Sequence, residues 1–67
     1  MTSVVLNGEP SELSSPATVA DAVRTTGAPE RGVAVAVDGE VVPRSAWEGT
    51  RLREGQRVEI LHAVQGG

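Results

Sequence analysis

Val33-Ala34-Val35-Ala36-Val37-Asp38-Gly39-Glu40-Val41-Val42 is the stretch that decides the fold. Its first five residues are apolar without interruption and β-branched at every second position, so they read as a strand carrying valines on one face and alanines on the other. Asp38-Gly39 is a two-residue hairpin signal, because the turn that matches strand twist needs positive φ at both central positions and these residue types tolerate it. The chain is therefore expected to return through Glu40-Val41-Val42, ending at Pro43, which has no N–H to give to a ladder. A run this apolar is expected to be the central strand of a sheet, with the other elements arranged around it.

Working outward toward the N-terminus, Gly27 and Pro29 supply a helix stop, and Thr18 with Asp21 three residues on forms a shortened capping box. The spacing predicts a helix over Val19–Thr26 with a thin apolar stripe of Val19, Ala22 and Val23, held in place by docking on a sheet. Ser14-Ser15-Pro16-Ala17 reads as a loop. Before it, Ser3–Asn7 reads as a first strand, Gly8-Glu9 as a turn and Ser11–Leu13 as a weaker second strand. On the C-terminal side a short irregular or single-turn helical segment carries Trp47, and Arg53-Glu54-Gly55-Gln56 reads as a turn. A last strand then runs from Arg57 to about Ala63. Its alternation places Val58, Ile60, His62 and Val64 on one face and Arg57, Glu59, Leu61 and Ala63 on the other. The order strand, strand, helix, strand, strand, strand predicts a two-layer α+β domain, one helix packed on a mixed sheet of four to five strands. Residues 1–63 form this single domain, and 64–67 a flexible Gly-Gly tail.

Composition excludes most other architectures and many activities. A 67-residue chain is one small domain, burying only about 60% of the surface its unfolded form exposes and leaving no room for a second lobe or a deep cleft. No cysteine is present, so a disulfide framework, a thiolate metal site and a Cys nucleophile are all excluded, and one histidine cannot build a zinc site alone. Six basic against nine acidic residues give a formal charge of −3, the wrong sign for electrostatic binding of nucleic acid. All six basic residues are arginines, a composition that codon usage explains. No apolar run approaches the roughly 20 residues that span a bilayer, and no signal-peptide pattern opens the chain. The expectation is a cytoplasmic domain that binds neither membrane nor metal.

Catalytic constellations need several polar groups converging in a pocket, and the sequence offers none. His62, at core parity in the last strand, reads as a partly buried structural imidazole in preference to a base. Gly8, Gly39, Gly49 and Gly55 are isolated turn residues without phosphate-loop spacing. Trp47, the only aromatic residue, reads as packing that fills gaps left by small Val and Ala side chains, with recognition as the alternative. Arg44 reads as a solvated or structural arginine. What remains is Val64-Gln65-Gly66-Gly67. Such an end has no Cβ atoms at its last two positions, so it can thread a channel too narrow for any side chain. Its α-carboxylate is sterically bare, and once activated as an acyl-adenylate it is open to a sulfur or amine nucleophile. The competing reading is a frayed terminus with no role.

Three segments read together tip that balance: Val41-Val42-Pro43-Arg44-Ser45-Ala46-Trp47, then Leu52-Arg53-Glu54-Gly55-Gln56-Arg57-Val58-Glu59-Ile60, and Ala63-Val64-Gln65-Gly66-Gly67 at the end. They closely resemble the ThiS family, the small sulfur carriers of thiamine biosynthesis. The likeness extends over the whole chain, including the Asn7 turn, the Thr18-Val19 helix start and the Asp38-Gly39 turn. Its specific part is the Val-Pro-Arg-x-x-Trp pattern followed at fixed distance by Gly-Gly. The resemblance implies a β-grasp, ubiquitin-like fold. It also implies that a ThiF-like, E1-like adenylyltransferase uses ATP to adenylate the Gly67 carboxylate, that a sulfur donor system converts it to a thiocarboxylate, and that a ThiG-like thiazole synthase takes the sulfur for thiazole ring formation. On this reading Gly67 is the reactive residue and Gly66 gives steric access. The chain is then not an enzyme, needs no cofactor of its own, and is monomeric when free.

Two departures from the family pattern stand out: Gln56 stands where members often place an Asp, and Ala22 and Thr26 stand where a larger aliphatic is common, which points to a marginal helix. With Val58 and Ile60 facing the helix, Val5, Leu61, Ala63, Arg57 and Glu59 fall on the open sheet face beside Ala34 and Ala36. Apolar residues grouped there are candidates for partner contact, flanked by charges that fix orientation, although scattered surface apolars are an ordinary alternative. Other destinations for the same tail are a sulfur carrier for molybdopterin or cysteine synthesis, or a ubiquitin-like protein modifier.

Overall fold

The computed structural model describes residues 1–27 and 31–62. Strands β1 (Thr2–Leu6) and β2 (Glu9–Leu13) form a hairpin, helix α1 (Val19–Thr26) follows, then β3 (Val33–Val37), β4 (Glu40–Val42), a 3-10 helix over Arg44–Gly49, and β5 (Arg57–His62). The sheet order is β2-β1-β5-β3-β4. β1 runs parallel to β5 and every other neighbouring pair is antiparallel, so one helix lies on a five-stranded mixed sheet, the β-grasp arrangement expected.

The centre of the sheet is β5, and the expectation that Val33–Val37 holds it is corrected: β3 lies between β5 and the edge strand β4. The reason is topological. The parallel β1–β5 pair needs a long crossover, which helix and β3–β4 hairpin supply, leaving the last strand to fill the gap between the two hairpins. The first turn is also shifted. It falls at Asn7-Gly8 (φ 49° and 85°), matching Asp38-Gly39 (51° and 85°), so both hairpins use positive φ at both central residues. Asn tolerates that conformation and Glu does not. β2 accordingly begins at Glu9, and Pro10 is accommodated because β2 is an edge strand.

The helix has the span and caps expected. Thr18 N and Oγ1 both donate to Asp21 Oδ2 (2.9 and 3.2 Å), and Asp21 N donates to Thr18 Oγ1 (3.3 Å). Gly27 closes it at φ 74°, its N–H donating to the Arg24 carbonyl. Val19, Ala20, Ala22 and Val23 are buried against Val4, Leu6, Val35, Val58 and Ile60 of the sheet, with Leu13, Ala17, Val37, Trp47 and Leu52 completing the core. Trp47 is in that core and its Nε1 donates to the Val42 carbonyl at 3.0 Å, which satisfies the indole N–H and decides for packing. The segment before β5 is tied to both layers: Val19 N donates to Thr50 O, Leu52 N to Ala17 O and Gly55 N to Ser3 O.

Because the helix is short and its apolar stripe small, the cap carries a sizeable share of its stability. Thr18→Ala is expected to lower unfolding free energy by about 1 kcal/mol in urea titration, and Thr18→Ser to restore most of it.

Candidate functional site

The face of the sheet away from the helix is uncovered. Cross-strand partners lie on the same face, so the register defines its surface: Val5 beside Arg57, Leu61 beside Ala34, and Glu59 beside Ala36, which has Val41 on its other side. Arg57, Glu59 and Leu61 are exposed and Val5 half-buried, the orientation that strand alternation requires. Leu61 is 66% exposed and Val41 75%, the two exposed large apolar side chains among the described strand residues. Together with Ala34 and Ala36 they form an apolar patch at the β4 side of the face, bordered by Arg57 and Glu59 along β5. Val41 was overlooked in the sequence, although pairing outward from the Asp38-Gly39 turn already sets it opposite Ala36.

Next to this patch a groove of about 640 Å³ runs between the two hairpin turns, lined by Val5, Gly8, Asp38, Gly39, Arg57 and Glu59 among others. β1 and β3 both end opposite Val58, so their two turns flank β5 at this level. Asp38 shapes one wall. Its Oδ1 accepts from Arg57 N at 3.0 Å, its Oδ2 accepts from Gln56 Nε2 at 3.2 Å, and its own N–H donates to the Arg57 carbonyl at 2.8 Å. The Arg57 backbone N–H, with the Gln56 amide second, holds the Asp38 carboxyl below the usual carboxylate range. Gln56 Oε1 meanwhile accepts from Arg53 N at 2.7 Å. The amide at position 56 thus braces two turns at once, a role its Nε2 donor makes possible opposite a carboxylate.

β5 is described to His62, so Ala63, Gly66 and Gly67, and with them the expected tail over 64–67, lie outside the described residues. His62 itself corrects an expectation. It has the parity of Val58 and Ile60 yet is exposed, because it pairs with Val33 at the end of the β3–β5 ladder, beyond the cover of the helix. It is no core imidazole. Among the described residues no group of three or more His, Asp or Glu is placed to hold a metal ion, and no helix is long and apolar enough to cross a membrane.

The family model of ThiS matches residues 4–67, nearly the whole chain. The chain belongs to the ThiS family. Solved structures agree with that membership. A crystal structure of a thiamine biosynthesis protein (ThiS) from Geobacter metallireducens is 28% identical with a TM-score of 0.77, covering 98% of this chain and 100% of that one. A solution structure of a thiamine biosynthesis protein from the same organism is 29% identical with a TM-score of 0.77, covering 98% and 88%. Comparison with curated proteins gives no match. Membership in the ThiS family supports a sulfur-carrier role in thiamine biosynthesis and working contact with enzymes of that pathway.

The Asp38 network gives this ThiS-family chain a pH dependence of definite sign. A carboxyl whose folded pKa is depressed adds stability that is fully present above its unfolded value, near 4, and is lost as pH falls through the folded value. Asp38→Asn keeps tolerance of positive φ and removes the charge. The stability gap between parent and variant, measured by denaturant titration, is expected to be largest above about pH 5 and to close toward pH 2.

Proposed function

We propose that this chain carries sulfur on the α-carboxylate of Gly67 and delivers it for formation of the thiazole ring of thiamine. The observation that carries the reading is the junction of a family match running through Gly67 with a Gly-Gly sequence that starts four residues after His62, the last described residue of the central strand. A strand held between two neighbours is a firm base for a short arm. The five residues beyond His62 span at most about 17 Å when extended, enough for the carboxylate to enter a partner's site while the domain stays outside.

In the proposed cycle a carboxylate oxygen of Gly67 attacks the α-phosphorus of ATP in an E1-like, ThiF-like adenylyltransferase, and pyrophosphate leaves. A reduced sulfur nucleophile from the donor system then adds to the acyl carbon and AMP leaves, so the terminus becomes a thiocarboxylate. A ThiG-like thiazole synthase takes the sulfur. Gly66 gives the approach its clearance. The chain acts in the cytoplasm as a substrate, monomeric when free, with no cofactor of its own and ATP consumed by the partner. Val5, Leu61, Ala63, Arg57 and Glu59 are the proposed docking residues. Exposed Leu61 and Val41 beside the charged pair supply an apolar centre and a polar rim.

Incubation with the activating enzyme, ATP and a sulfur source, followed by intact-mass analysis, is expected to show one oxygen replaced by sulfur. Removal of Gly67 abolishes the change. A terminus that never gains sulfur, or full activity without Gly67, would count against the proposal. For docking, Leu61→Asp is expected to raise the KM of the activating enzyme for this chain by about tenfold, as loss of an apolar anchor does, with unfolding free energy within about 0.5 kcal/mol of the parent.

A further inference from the structure

In the parallel ladder, Val5 N donates to Gln56 O and Asn7 N donates to Val58 O, both at 2.9 Å. A regular parallel strand would continue by accepting from Ile60 N at its next carbonyl and donating to Ile60 O from the residue two further on. β1 cannot do so, because the chain turns away at Asn7, whose φ is 49°. The Asn7 side chain takes both places. Its Oδ1 accepts from Ile60 N at 2.7 Å and its Nδ2 donates to the Ile60 carbonyl at 3.2 Å. The carboxamide is therefore a surrogate peptide unit that carries the ladder one step past the end of β1. Asp38, at the matching turn on the opposite side, reaches back to Arg57; only Asn7 reaches forward, toward the end of β5. An amide is the group suited to this, since it sets N–H donors and a carbonyl acceptor in one plane, like the backbone it replaces.

We propose that Asn7 is a positioning residue for presentation of Gly67, acting through the end of β5, which it holds at Ile60. The proposal rests on the carrier reading above. Without the amide, both Ile60 groups on the β1 side lose their partner, and the end of β5 is held on its β3 edge alone. A partner enzyme must then order that segment on binding, and the cost falls on association. The chemical step, which takes place on the arm once seated, is unaffected.

The test uses the full chain with its activating enzyme, following ATP–pyrophosphate exchange. Asn7→Gly keeps the left-handed backbone and removes the amide; its KM is expected to rise roughly five- to tenfold with kcat unchanged. Amide hydrogen exchange should show protection of the Ile60 N–H lost while that of β3 persists. Asn7→Asp, which keeps an acceptor but sets an anionic oxygen against the Ile60 carbonyl, should move KM in the same direction and serves if the glycine variant folds poorly. Thr18→Ala, which weakens the helix on the other layer, should leave KM alone. Unchanged KM in both Asn7 variants, a fall in kcat instead, or an equal rise in Thr18→Ala overturns the positioning role. A parent chain that supports no exchange overturns the carrier reading itself, a result distinct from an active parent matched by its variants.

Discussion

Parallel pairing of the first strand with the last is the constraint on which the rest of this structure depends. Leu6 and Val37 both lie opposite Val58, so β5 joins two hairpins that would otherwise be separate ribbons with one helix to share. Val58 is fully buried and Ile60 nearly so, and both meet the helix face. Until β5 is in place, neither hairpin has a neighbour wide enough to make a stable layer, and α1, only eight residues long, has too little surface to dock on. The last strand is thus the last requirement of the fold.

Much of this was legible because the signals were local. The Asp38-Gly39 turn, the Thr18 and Asp21 cap, and the alternation of Val33–Val37 each rest on residues a few positions apart, and the helix and β3 spans follow from them. The expectations that missed depended on distant partners. His62 has the parity of a core residue, but whether a core exists at that level depends on how far the helix reaches over the sheet. The place of β5 between β1 and β3 depends on pairing across about fifty residues. At the first turn the local signal was present and its emphasis was misplaced: Asn7 accepts positive φ, so Asn-Gly outranks Gly-Glu. On the open face, alternation oriented Val5, Arg57, Glu59 and Leu61, whereas Val41 joined them through a register that the sequence implied but that had to be followed across a turn.

Polar side chains do backbone work at both turns. Asn7-Gly8 and Asp38-Gly39 share φ values within a few degrees, and in each the first residue uses its side chain to bond the backbone of β5, forward at Ile60 and backward at Arg57. This satisfies strand groups that would otherwise face solvent where the flanking strands stop. It also explains the different choice of residue. Arg57 presents an N–H to Asp38, which an anionic acceptor suits, whereas Ile60 presents an N–H and a carbonyl to Asn7, which only a group with both functions can answer.

A domain of this kind has no need of a cleft in the role proposed for it. An enzyme must surround its substrate, and 67 residues leave little to surround anything with. A carrier that is itself the substrate must instead project one reactive group beyond its own surface and keep its other side chains from intercepting it. Cysteine and lysine are the side chains best able to attack an activated acyl group, and both are absent here, all six basic residues being arginine. Arginine stays protonated and is a poor nucleophile. Whatever codon usage contributed, the outcome is a chain without thiol or ε-amine, so that in the proposed role an activated terminus would meet no such competitor and its capture would pass to the nucleophile that a partner supplies.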